Sequence, residues 1–148
     1  MTFDTRLAVS EYQRRGWALV PIAAGAKVPT IKEWQHRHYS RADFDPSGNL
    51  AGVFGARSGS LVDADLDCPE ALTLADLYLP TTGAEFGRLS RPRSHRLYIA
   101  PGAVHETWAD PAASGDMMVE LRADGATGGA HMTLLPPSTT EKAGSRHG

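Results

Sequence analysis

The sequence predicts an α+β fold, a mixed sandwich in which helices cover one face of a β-sheet. Three observations carry this reading. Strand-like apolar segments outnumber helical ones, the helical segments begin at recognisable caps, and no internal repeat or low-complexity tract interrupts the chain. At 148 residues the expectation is a single domain spanning 1–148, which buries roughly two-thirds of its unfolded surface. Hydrophobic residues at 41% and charged residues at 22% match ordinary folded domains and exclude the disordered and membrane classes.

The elements follow in order. Asp4 or Thr5 caps a first helix running to about Arg15, with Leu7, Ala8 and Tyr12 at helical spacing and Gly16 placed to end it. Trp17 to Ile22 is a short apolar strand, and the turn-rich loop from Ala23 to Pro29 carries Lys27. Residues 30–45 are polar with scattered aromatics and read as short helical turns. Leu50 to Phe54 and Ser60 to Leu66 read as strands joined by the Gly55 to Gly59 turn. Pro69 opens a second helix to about Leu79, with Asp67 as its candidate cap. His95 to Ala100 and Met117 to Arg122 are further strands, separated by a loop that holds Trp108. The glycine-rich segment 123–129 reads as a hairpin turn leading into a last strand, His131 to Leu135.

Composition narrows the chemistry. The single cysteine, Cys68, forms no internal disulfide, and no Cys/His spacing resembles a zinc site, so any metal is expected on oxygen ligands. No apolar run approaches the roughly 20 residues of a membrane span, and no basic stretch followed by an apolar core opens the chain. A cytoplasmic protein with no membrane partner is expected. The formal charge of −2 argues against a broadly basic nucleic-acid binder. It conceals a local excess, since Arg88, Arg91, Arg93, His95 and Arg96 fall in one short stretch.

The residues with chemical promise are acids on strands. In Val62-Asp63-Ala64-Asp65-Leu66, Asp63 and Asp65 share a strand face about 7 Å apart at their Cα atoms and could grip the same metal ions. Carboxylate oxygens suit Mg2+ or Mn2+. The alternative is that one caps a turn and the other sits exposed on an edge strand. Glu120 lies mid-strand between apolar neighbours with Arg122 on the same face, so it either joins the two aspartates in a two-metal site or simply pairs with Arg122. His95 and Ser94, beside the arginines, are candidates to donate to a phosphate, against the alternative of a solvated basic loop. Other phosphate signatures are absent: Gly25-Ala26-Lys27-Val28 lacks the hydroxyl of a P-loop, and the 125–129 glycines precede a strand instead of a helix.

Taken in order, these segments resemble the bifunctional DNA primase/polymerase N-terminal domain, the Prim-Pol family of the archaeo-eukaryotic primase superfamily, found in replication proteins of plasmids, phages and integrated elements. Gly16-Trp17-Ala18-Leu19-Val20-Pro21-Ile22, then Lys27-Val28-Pro29 and Trp34, is similar to the opening of the family. Asn49 to Gly55 and Ser58 to Asp65 resemble the run into the first catalytic motif, Ser94-His95 the second, Glu120 to Gly125 the third, and Leu135-Pro136-Pro137-Ser138 the segment that closes the core. Arg91-Pro92-Arg93 stands where the family usually has glycines.

The resemblance implies an RRM-like catalytic sheet packed with an N-terminal αβ unit. It implies that Asp63 and Asp65 bind two Mg2+ or Mn2+ ions, that Glu120 completes the site, and that His95 with Ser94 holds a nucleoside triphosphate. Arg122 and Lys27 would contact nucleotide or template. The activity implied is template-dependent nucleotidyl transfer that makes and extends primers, with single-stranded DNA template, primer and nucleoside triphosphates as partners, and a helicase domain or protein alongside. Relatives continue into a C-terminal helical subdomain, before which this chain is expected to be truncated. Two other readings stay open: a nucleotide-binding replication module without turnover, and a metal-dependent phosphodiesterase using the same acids with water as nucleophile.

Overall fold

The computed structural model describes residues 3–112, 115–125 and 130–140. In chain order the elements are α1 (Thr5–Arg14), β1 (Ala18–Ile22), β2 (Asn49–Val53), β3 (Leu61–Leu66), α2 (Pro69–Tyr78), β4 (Glu85–Arg88), β5 (Arg91–Ile99), β6 (Glu106–Ala109), β7 (Met117–Arg122) and β8 (Met132–Leu134). The class is α+β, as expected, and the strand pairs are antiparallel. The strands fall into two sheets, however, one in each of two compact units: Met1–Val53 with Met132–Gly148, and Phe54–His131.

The first unit holds the sheet β1-β2-β8 and α1. Asp4 caps α1 by accepting from the Arg6 backbone N–H at 2.9 Å, and Gly16, at φ +83°, turns the chain out of it. Pro21 is tolerated because β1 is an edge strand, where a missing ladder donor costs little. Val9, Leu19, Val20, Ile22, Leu50 and Leu135 bury the unit's core. Asn49 ties two loops to β2: its amide donates to Ala26 O at 3.0 Å and Thr139 O at 2.9 Å, and its carbonyl accepts from Thr139 N at 3.1 Å. The polar stretch before β2 forms two single turns of 3-10 helix, Trp34–His36 and Arg41–Asp43.

The second unit is a five-stranded sheet in the order β4-β5-β3-β7-β6. β3 is central and every one of its residues is buried. α2 packs on one face through Ala71 and Ala75 against Leu66, with Leu72 and Val119 beside them.

Several details correct the sequence reading. β2 and β3 do not pair with each other; a single 3-10 turn at Ala56–Ser58 separates them and they enter different sheets. The cap of α2 is Cys68, whose Sγ accepts from Ala71 N at 3.4 Å, because the Asp67 side chain is engaged with Arg91. Trp108 lies in a strand, β6, instead of a loop, and β4 was not anticipated. Both are short edge strands, exposed or half-buried, and carry little apolar periodicity. Residues 126–129 of the expected glycine-rich hairpin turn lie outside the described residues. No helix among the described residues is long and apolar enough to cross a membrane.

Candidate active site

Strand register assembles the site. β3 is flanked by antiparallel β5 and β7, and Asp65 lies opposite both His95 and Glu120, while Asp63 lies opposite Leu97 and Arg122. Residues opposed across antiparallel strands share a face, and i and i+2 share it along one strand. Asp63, Asp65, His95, Glu120 and Arg122 therefore project from one face, and Leu66 opposite Val119 projects from the other, which α2 covers.

Two of the acids are deeply buried: Asp63 is 0% exposed and Asp65 7%. Buried carboxylates need countercharge and hydrogen bonds, and neighbouring side chains supply both. His95 Nδ1 lies 2.8 Å from Asp63 Oδ2 and 3.6 Å from Asp65 Oδ1; since a carboxylate can only accept, Nδ1 carries the proton. Arg122 bridges the other two acids, donating from Nη2 to Asp65 Oδ2 at 3.1 Å and from Nε to Glu120 Oε1 at 2.8 Å. His105 Nε2 stands 3.3 Å from Glu120 Oε2. Asp67, next on the same strand face, meets Arg91 Nη1 at 3.4 Å.

The titration behaviour follows from this crowding. Burial pushes Asp65 up to about 6, although His95 and Arg122 pull the other way. Burial also raises Asp67, against the pull of Arg91. For His95, burial disfavours the imidazolium, but the Asp63 hydrogen bond and the charges of Asp63 and Asp65 outweigh it, and the net shift is upward. Arg122 balances in the same way, with Glu120 and Asp65 overcoming the cost of burial. Phe86, opposite His95 on β4, stacks on its ring with centroids 4.8 Å apart and fixes its plane.

The arginine-rich stretch is more committed than the sequence implied. Arg93 lies between Asp76 at 2.8 Å and Glu85 at 2.9 Å, and Arg96 is 3% exposed with Nη2 2.9 Å from the same Asp76. Those partners sit on α2 and β4, so much of the apparent basic excess is neutralised within the fold. Ser94 is buried at 4% exposure, and its Oγ lies on the Gly87 side of the strand, 2.9 Å from where a Cβ on that glycine would stand. Its side chain is not brought together with the acids. Lys27 is exposed on the β1–β2 connection of the first unit, whereas the acids belong to the second.

Among the described residues no group of three or more His, Cys, Asp and Glu side chains is arranged to hold a metal ion. The Arg122 guanidinium and the His95 imidazole stand between the carboxylates instead. In its chemistry the donor set nonetheless fits a hard divalent cation: three carboxylates from adjacent strands on one face, two of them buried. Such an ion would take over the countercharge that His95 and Arg122 now provide.

Sequence reasoning missed Asp67, Phe86 and His105. Asp67 continues the alternation of Asp63 and Asp65 and was legible on that ground. Phe86 and His105 reach the site only through register and loop path, which leave no periodic trace.

A family model described as "Bifunctional DNA primase/polymerase, N-terminal" matches residues 9–147. No curated protein and no solved structure matches the chain.

Proposed function

The chain belongs to the Prim-Pol family, the N-terminal domain of bifunctional DNA primase/polymerases, and from that premise we propose that it joins nucleotides to a primer end on a single-stranded DNA template. In this reading Asp63, Asp65 and Glu120 hold Mg2+ or Mn2+, and His95 and Arg122 hold the incoming nucleoside triphosphate. The observation that supports it most is the register that sets Asp65 opposite both Glu120 and His95, so that acids and phosphate donors share one face.

When bound, a pair of divalent cations would activate the primer hydroxyl as a nucleophile and offset charge on the leaving group. The primer 3′-hydroxyl releases its proton to solvent as its oxygen bonds to the α-phosphorus, the bond from that phosphorus to the bridging oxygen breaks, and pyrophosphate leaves. His95 keeps Nδ1 on Asp63, which leaves Nε2 to donate to a phosphate oxygen when the ring is doubly protonated. Arg122 offers a planar fork suited to phosphate once its carboxylate partners take a cation. Ser94, buried behind His95, serves the nucleotide by shaping the strand from which His95 projects. The five-stranded unit is read as the RRM-like catalytic sheet and the first unit as the N-terminal αβ unit, with Lys27 contributing to template or nucleotide. A helicase domain or protein is the proposed replication partner, and the cytoplasm the proposed location.

The test is extension of a labelled primer on a DNA template with Mn2+ and each nucleotide set. Elongation that is lost in Asp63→Asn and Asp65→Ala is expected. Shortened labelled ends would point to phosphodiester hydrolysis, and nucleotide binding without elongation to a module that does not turn over. His95→Ala is expected to weaken triphosphate binding about ten- to a hundredfold, the usual loss for one hydrogen bond to a charged group. It should preserve the metal-induced rise in melting temperature. Unaltered triphosphate affinity would remove His95 from the nucleotide site.

A further inference from the structure

Glu120 has a neighbour beside each oxygen: Arg122 Nε donates to Oε1 at 2.8 Å, and His105 Nε2 lies 3.3 Å from Oε2. The two contacts differ in kind. Arg122 is a cation shared with Asp65, and a metal ion arriving at these acids competes with it directly.

His105 is differently built. Its backbone N–H donates to Asp124 O at 2.8 Å, and Val104 bridges Asp124 alongside β7, so its main chain is fixed to the strand end that carries Glu120. Its ring stacks on His131 at a centroid distance of 3.5 Å and an interplanar angle of 9°, and the His131 carbonyl accepts from Phe54 N at 3.0 Å. The side chain is 16% exposed. Its Nδ1 is buried with no hydrogen-bond partner among the described residues. A proton there would be a buried unsatisfied donor, so the tautomer that fits carries its hydrogen on Nε2, facing the carboxylate. His105 thus presents Nε2 to Glu120 from a rigid mount.

We infer that His105 is a positioning residue that fixes the Glu120 carboxylate for metal binding when Arg122 is released toward phosphate. This rests on the reading of Glu120 as a metal-holding residue. Groups that orient a metal-binding side chain from behind typically change metal affinity about ten- to a hundredfold when removed.

Two substitutions separate donation from packing. His105→Phe keeps a flat ring against His131 and removes the donor, whereas His105→Gln keeps an N–H donor and removes the ring. Melting temperature is measured on the full chain across a Mn2+ titration, with Asp63→Asn as the reference for a lost site. The expected result is a half-saturating Mn2+ concentration at least about tenfold higher in His105→Phe, with His105→Gln close to wild type. A purely structural role would shift the melting temperature without Mn2+ and leave half-saturation unmoved, and that result overturns the inference. So does equal loss in both variants, or loss in His105→Gln alone. A wild-type chain that shows no Mn2+ response, or one that Asp63→Asn retains, instead removes the metal-holding reading on which the inference stands.

Discussion

Asp65 carries a buried charge that the fold does not want. Its carboxyl is pushed up to about 6 from 3.8, so the native state binds the proton more tightly than the unfolded chain does. The stability associated with that proton is present at low pH and is lost as pH rises from about 4 through 6. At pH 7 the ionised group costs the fold on the order of 1 to 3 kcal/mol. Asp65→Asn should therefore melt several degrees higher than wild type at pH 7 without divalent cations, and lose that advantage when Mn2+ is added, since the ion stabilises only a chain that binds it. An Asn variant that melts lower than wild type without metal would mean that the His95 and Arg122 contacts outweigh the burial cost. The alternation of two acids in an apolar strand made this pair legible in the sequence. For Glu120 the sequence posed a choice between a pair with Arg122 and a two-metal site with the aspartates; the structure has the Arg122 pair, and that same guanidinium also reaches Asp65. A one-dimensional pattern gives the face of a residue and not the number of strands its side chain spans.

At the scale of the element, the β4–β5 hairpin decides where His95 points. Phe86 opposes His95 and Arg88 opposes Arg91, with an irregularity between Phe86 and Arg88 at Gly87. A Cβ on Gly87 would stand 2.3 Å from Arg91 O and 2.9 Å from Arg93 N. Both are backbone atoms and cannot rotate aside. Arg93 holds a positive φ of 59°, a conformation unusual for a residue with a side chain, and its guanidinium is fixed between Asp76 and Glu85. Gly87→Ala should therefore force the hairpin apart and move Phe86 off the His95 ring. The expected outcome is a lower melting temperature together with weakened triphosphate binding, while Mn2+ still stabilises the variant, because the acids lie on β3 and β7. Loss of the Mn2+ response in this variant would show that the hairpin also sets the acids. The sequence hid this hairpin because β4 is four residues long and mostly polar. Its arginines read as a patch facing a ligand because Asp76 and Glu85, which claim them, are distant in sequence.

For the whole molecule the question the proposed function raises is how a chain of net charge −2 would hold DNA. At least six of its fifteen Lys and Arg side chains are paired with carboxylates within the fold: Arg6, Arg14, Arg91, Arg93, Arg96 and Arg122. Each phosphate neutralised on a single strand contributes about −0.7 to the slope of log affinity against log salt concentration. A chain with so much of its cationic charge committed internally should neutralise few phosphates, and its affinity for single-stranded DNA should fall with a slope of about −1 to −3. In the proposed reading the acids of β3 and β7 would add to this, since without divalent cations they would repel a primer backbone, and Mn2+ should raise DNA affinity at constant ionic strength. The measurement is fluorescence anisotropy of a labelled single strand over a salt series, with and without Mn2+, for wild type and Asp63→Asn. A slope steeper than about −6 would require more phosphate contacts than the Lys and Arg residues outside those six pairs could make. A Mn2+ effect that persists in Asp63→Asn would locate the ion on the nucleic acid and not on the acids of β3 and β7.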